Sequence, residues 1–153
     1  MHPFDQDISL TPQQPFCFRS VVSDNWSVNG IPDGGYLMAM ITNAMLQHSQ
    51  KKSAPILTAN YISRCTPGDA HIQVEPIIQS AQFDRLEGKL FQDGKEKIRM
   101  FGTFAEKKDD CLIERHEKSP PEISPIENCI RVPEMPNYLI FHNLDVRLDP
   151  GCA

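Results

Sequence analysis

Cysteine is scarce and unpatterned in this 153-residue chain: Cys17, Cys65, Cys111, Cys129 and Cys152 are odd in number and make no CxxC or Cys/His ligand spacing. That argues against a disulfide framework or a zinc centre, and the thiols read as reduced. Excess positive charge is missing as well. With 15 Lys and Arg against 20 Asp and Glu, the net charge is -5, which gives no electrostatic footprint for nucleic acid or an anionic membrane and leaves only local basic spots for an anionic cofactor. The greasiest stretch, about 15 residues long, falls short of a bilayer span. A signal peptide is not evident, since Asp5 and Asp7 stand where a basic n-region belongs and no apolar h-region follows. A soluble cytoplasmic protein is therefore expected. Neither a GxSxG elbow nor a phosphate-binding loop occurs, and His71, His116 and His142 lack nucleophile or metal spacing.

Hydrophobic residues make up 40% of the chain, enough for one globular domain with a tail. Its centre is residues 29–48. Pro32, Asp33, Gly34 and Gly35 form a turn, and Tyr36 to Leu46 read as a helix with Asp33 as its N-cap. Leu37, Met40, Ile41, Ala44 and Met45 give an apolar face, while Met38, Ala39 and Leu46 cover much of the rest. A helix so greasy has to be wrapped, and the wrapping this length permits is a curved sheet.

The remaining pattern supplies that sheet. Residues 1–15 read as an extended arm, Phe16 to Ser23 as a strand and Trp26 as a packing anchor. After the helix come four strands predicted to run consecutively and antiparallel, over residues 57–65, 70–79, 82–92 and 96–106. Pro76 implies an edge or a bulge in the second of them. Asp93-Gly94 is the strongest hairpin signal, because both central residues of a type I′ turn need positive φ. Residues 107–137 are a proline-rich linker. In the tail, residues 138–153, Leu144, Val146 and Leu148 alternate with polar residues, as at the start of a second domain or in an edge strand.

Strand, tryptophan, glycine-opened buried helix and antiparallel strands together resemble the hot-dog fold, an α+β architecture with a curved antiparallel sheet around one central helix. Trp26, Gly30, Pro32, Gly34, Gly35, Tyr36 and Ala39 match the pattern W-x-x-x-G-x-P-x-G-G-Y-x-x-A of the TesB-like acyl-CoA thioesterases. Tyr61-Ile62, Pro67-Gly68, Gln92 to Lys95 and Gly102 to Phe104 extend the likeness across about residues 15 to 106. The resemblance implies hydrolysis of fatty acyl-CoA by a pair of hot dogs. The pair would be a homodimer or this half joined to a second hot-dog domain, with CoA present only as part of the substrate. The chain departs from the family in two places. Ser80-Ala81 stands where Gly-Arg is frequent, and the family's Asp, Thr and Gln catalytic set belongs to a second half that this chain only begins.

Thioester hydrolysis needs an oxyanion stabiliser and a carboxylate that activates water or attacks directly. The amides of Gly34, Gly35 and Tyr36 at the helix start are candidates for the first. Asp33 and Asp84 are candidates for the second, Asp33 also being explained as a cap and Asp84 by its core-facing position beside Leu86 and Leu90. Asn60 and Thr58 are candidates to orient a water or bind a carbonyl, and Arg64 and Arg85 to meet cofactor phosphates. His48 reads as a dipole partner at the helix end. The alternative is a non-catalytic half that binds acyl-CoA or serves as a dimerisation scaffold. A dehydratase is disfavoured because no His lies near the helix start.

Overall fold

The computed structural model describes residues 1–107 and 119–152. Cys111 and His116, with the rest of 108–118 of the predicted linker, lie outside the described residues, as does Ala153. The arm is more than extended chain. Pro3–Asp7 form a one-turn helix, α1, and Thr11–Gln14 form β1. Pro3 sits in the first turn and His2 accepts from the Phe4 amide, so both ordinary helix-start devices are present. Phe4 stands edge-on to Trp26 at 5.0 Å, and the Asp7 carboxylate accepts from Trp26 Nε1 at 2.9 Å. The arm's order thus comes from its partner rather than from its own pattern.

A reversal through Phe16, at φ 63°, leads into β2 (Cys17–Val22). The short hairpin of β3 (Ser27–Val28) and β4 (Ile31–Pro32) turns at Asn29 and Gly30, both with positive φ. It delivers the chain to α2 (Gly34–His48), longer at both ends than the sequence predicts. Tyr36, Leu37, Met40, Ile41, Ala44 and Met45 are its buried residues.

Four long strands follow: β5 (Ser53–Tyr61), β6 (Gly68–Gln79), β7 (Phe83–Gln92) and β8 (Lys95–Ala105). The six-stranded sheet has the order β1-β2-β6-β7-β8-β5, which corrects the expectation of four consecutive neighbours. Only β6, β7 and β8 form a meander; β5 crosses to the far side of β8, and β6 lies against β2. The register slips between Pro76 and Ile78, which is the bulge that Pro76 implied. Asp93 and Gly94 have φ of 51° and 70°, as a type I′ turn requires.

Leu86, Leu90, Ile98, Met100 and Phe104 point inward and are completely buried. Between them, Gly88 and Gly102 cut a seat for the helix. A Cβ on Gly88 would lie 2.7 Å from Met45 Cε, and one on Gly102 would lie 2.9 Å from Met45 Sδ. In the tail, Arg147–Leu148 form a two-residue strand paired with Ile130–Arg131 rather than with the six-stranded sheet. The end of the predicted linker touches the β3–β4 hairpin, where the Asn29 amide donates to the Asn137 carbonyl at 2.6 Å.

Candidate active site

The start of α2 is where backbone chemistry is left open. The Asp33 carboxylate caps the helix by accepting from the Tyr36 amide at 3.1 Å, and the Leu37 amide donates to the Asp33 carbonyl. The Tyr36 N–H is therefore consumed, against the expectation of three free amides. Among the described residues nothing accepts from the Gly34 or Gly35 N–H. Two uncapped donors at the positive end of a helix favour developing negative charge.

A cleft of about 400 Å³ opens beside them, lined by Ile31, Pro32, Gly34, Leu37, Tyr61, Ser63, Arg64 and Cys65. Its walls are largely apolar and Arg64 supplies a cation. Gly35, the next residue along, is exposed. Tyr61 closes one side: its hydroxyl donates to the Gly34 carbonyl at 2.7 Å. Burial raises the Tyr61 pKa, and the charges of Asp33 and Cys65 add to the effect. Burial likewise pushes the Cys65 thiol up, partly countered by Lys97.

The structure brings Asp33, Gly34, Gly35 and Arg64 together and disperses the other candidates. The Tyr36 side chain turns away beneath the arm, its hydroxyl donating to the Asp7 carbonyl and accepting from the Ser23 amide, both at 3.0 Å. Thr58 and Asn60 are exposed on the outer face of β5, because Leu57 and Ala59 take the inner face and pack on the core. Arg85 is exposed on β7, its guanidinium 5.5 Å from the Phe83 ring centre.

Asp84 lies at the other end of the helix, some 20 Å from Gly34 by the rise per residue. It is 2% exposed and accepts from Ser49 Oγ at 2.9 Å, the Gln50 amide at 3.1 Å and Lys51 Nζ at 3.2 Å. Burial alone would raise its pKa. The hydrogen bonds from Ser49 and Lys51, the Lys51 charge and the Gln50 amide outweigh that and hold it below the ordinary aspartate value. Its core-facing position has a partner, and that partner is Lys51. His48 also sits at this end, its ring 4.2 Å from Phe16, and burial lowers its pKa.

Sequence reasoning passed over Tyr61, Ser63 and Cys65 as site residues. Alternation with Leu57 and Ala59 was the available signal for Tyr61, since it puts the ring on the inner face at the end of β5.

The family model for the acyl-CoA thioesterase N-terminal domain matches residues 22–105, more than half of the chain. The chain belongs to the acyl-CoA thioesterase N-terminal domain family. A curated relative, the ustilagic acid biosynthesis cluster protein orf2 of Mycosarcoma maydis, is 29% identical over 86 residues, covering 53% of this chain and 22% of that protein. Among solved structures, a Thermobifida fusca protein assigned as a thioesterase II superposes with TM-score 0.88 at 20% identity, covering 99% of this chain and 56% of that one. The acyl-CoA thioesterase II TesB2 of Mycobacterium marinum superposes with TM-score 0.66 at 13% identity, covering 84% and 47%. A hot-dog protein from Alicyclobacillus acidocaldarius gives TM-score 0.78 at 20% identity, covering 92% and 53%. These likenesses establish the hot-dog fold. The chain spans about half the length of these three structures and less than a quarter of the curated relative. No helix among the described residues is long and apolar enough to cross a membrane.

Proposed function

We propose that this chain is the N-terminal hot-dog half of an acyl-CoA thioesterase, hydrolysing fatty acyl-CoA to free acid and CoA through a pair of hot-dog units. The observation that carries the reading is the start of α2, where the uncapped Gly34 and Gly35 amides stand beside an apolar cleft with a cation in its wall. As water adds to the thioester carbonyl, charge builds on its oxygen, and amides already aimed at that oxygen stabilise the tetrahedral intermediate without reorganising. The apolar lining of Ile31, Pro32 and Leu37 accepts acyl carbons, and Arg64 takes a CoA phosphate. No metal or redox cofactor enters this chemistry.

Asp33 is committed to Tyr36 and Asp84 to Lys51, so the water-activating carboxylate is a different residue, brought to the site by the paired unit. Pairing runs along β5. Among the described residues it has β8 on one side only, and Ile56 and Ile62 at this edge are more than half exposed. A free edge with apolar side chains recruits another strand. The unit formed is a homodimer or a junction with a second hot-dog domain, working in the cytoplasm on a soluble acyl-CoA, with no role for nucleic acid or a membrane.

The commitment of both carboxylates also favours a second reading, a half that binds acyl-CoA or serves as a dimerisation scaffold without turning substrate over. Free-thiol release from acyl-CoAs of several chain lengths separates the two. Turnover by the full chain supports the enzyme, and binding at every length without thiol release supports the scaffold. Asp33→Asn preserves a cap and is expected to keep release within about threefold; a loss of a hundredfold moves the base to Asp33.

A further inference from the structure

We infer that Tyr61 is a positioning residue for this site: its hydroxyl fixes the Gly34–Gly35 peptide so that the Gly35 N–H faces the thioester carbonyl. The inference deepens the thioesterase reading and rests on it for the identity of the ligand. The Gly34 carbonyl and the Gly35 N–H belong to one planar unit, so whatever holds the carbonyl also aims the donor. Tyr61 Oη holds it at 2.7 Å, within the ordinary range for O–H···O bonds.

The contact has no slack. A Cβ on residue 34 would lie 2.8 Å from Tyr61 Oη and 3.1 Å from Cζ, so glycine is what lets the ring settle here. Tyr61 in turn pairs with Ile98 of β8, and the bond therefore ties the helix start to the sheet over a separation of 27 residues. A hydrogen bond accepted by a peptide carbonyl also polarises its N–H, a cooperative gain on the order of 10–30% per bond. Because its pKa is raised, the hydroxyl keeps the proton that it donates. The ring is 52% exposed, more than a purely core-filling side chain would be.

The test is Tyr61→Phe in the full chain, which keeps the ring and removes only the hydroxyl. Two readouts are taken, the ¹⁵N–¹H resonance of Gly35 and the kinetics of thiol release. The Gly35 amide nitrogen is expected to shift by more than any amide outside residues 33–37, and kcat to fall about five- to tenfold with KM within twofold. An unmoved Gly35 resonance overturns the inference whether or not acyl-CoA is turned over. An unchanged kcat, or a parallel change of kcat and KM in an active wild type, overturns it as well. A shifted Gly35 resonance in a wild type that releases no thiol supports the hold on the peptide and counts against the thioesterase reading instead.

Discussion

The two ends of α2 are finished by opposite means. At the C-terminal end charged side chains do the closing: Lys52 Nζ donates to the Leu46 and Ser49 carbonyls at 2.7 Å, and the buried Lys51 Nζ reaches both Asp84 and the Ser80 carbonyl, while His48 Nε2 is buried without a partner among the described residues. At the N-terminal end one carboxylate caps one amide, two further donors stay open, and a cleft replaces packing. One end is closed to hold the helix against the sheet, the other left unsatisfied where a ligand can complete it. A folded chain tolerates an open end only where water or substrate takes the place of protein partners.

Five experiments test that contrast. The largest effect belongs to the closed end: Asp84→Ala strands Lys51 without its counter-charge and is expected to cost about 3–5 kcal/mol in urea unfolding. The pair Lys51→Met with Asp84→Leu removes both charges and is expected to recover most of that stability, with thiol release retained. Next comes acid. A carboxyl whose native pKa lies below its unfolded one contributes fully above the unfolded value, about pH 4, and loses that contribution as pH falls through the native value. Unfolding free energy should therefore decline steeply below pH 4, and the Lys51→Met, Asp84→Leu chain should show a shallower decline over the same window.

At the open end, Asp33→Ala removes the cap and is expected to cost about 1 kcal/mol, read from the same unfolding curves. Smallest is Lys52→Ala, whose exposed bonds to the last carbonyls are worth about 0.3–1 kcal/mol. If Asp33→Ala proves costlier than Asp84→Ala, the assignment of a closed and an open end is reversed.

Features set by neighbouring residues could be read from the sequence. The Asp33 cap, the Asp93-Gly94 turn, the slip at Pro76 and the inward set Ile98, Met100 and Phe104 all follow from local geometry or strand alternation. Features set by distant partners could not. Nothing in residues 53–61 says that this strand crosses to β8, because alternation fixes which face is buried and not which neighbour is bonded. Asp84 was legible as a core-facing carboxylate, yet its partner Lys51 is separated from it by 33 residues, and no local pattern joins the two. The arm looked patternless because its order depends on Trp26 and on the Asn43 side chain, which donates to the Ile8 carbonyl at 2.9 Å.

The trough made by Gly88 and Gly102 has a consequence for how this scaffold can change. Met45 drops into the gap left by two missing side chains, so the rod is keyed against sliding like a shaft on its pin. Its amide tip then keeps a constant height above the strands whatever occupies the mouth. The mouth of the cleft can accordingly be reshaped at its rim, at Ile31, Tyr61 or Arg64, and not by shunting the rod along its axis.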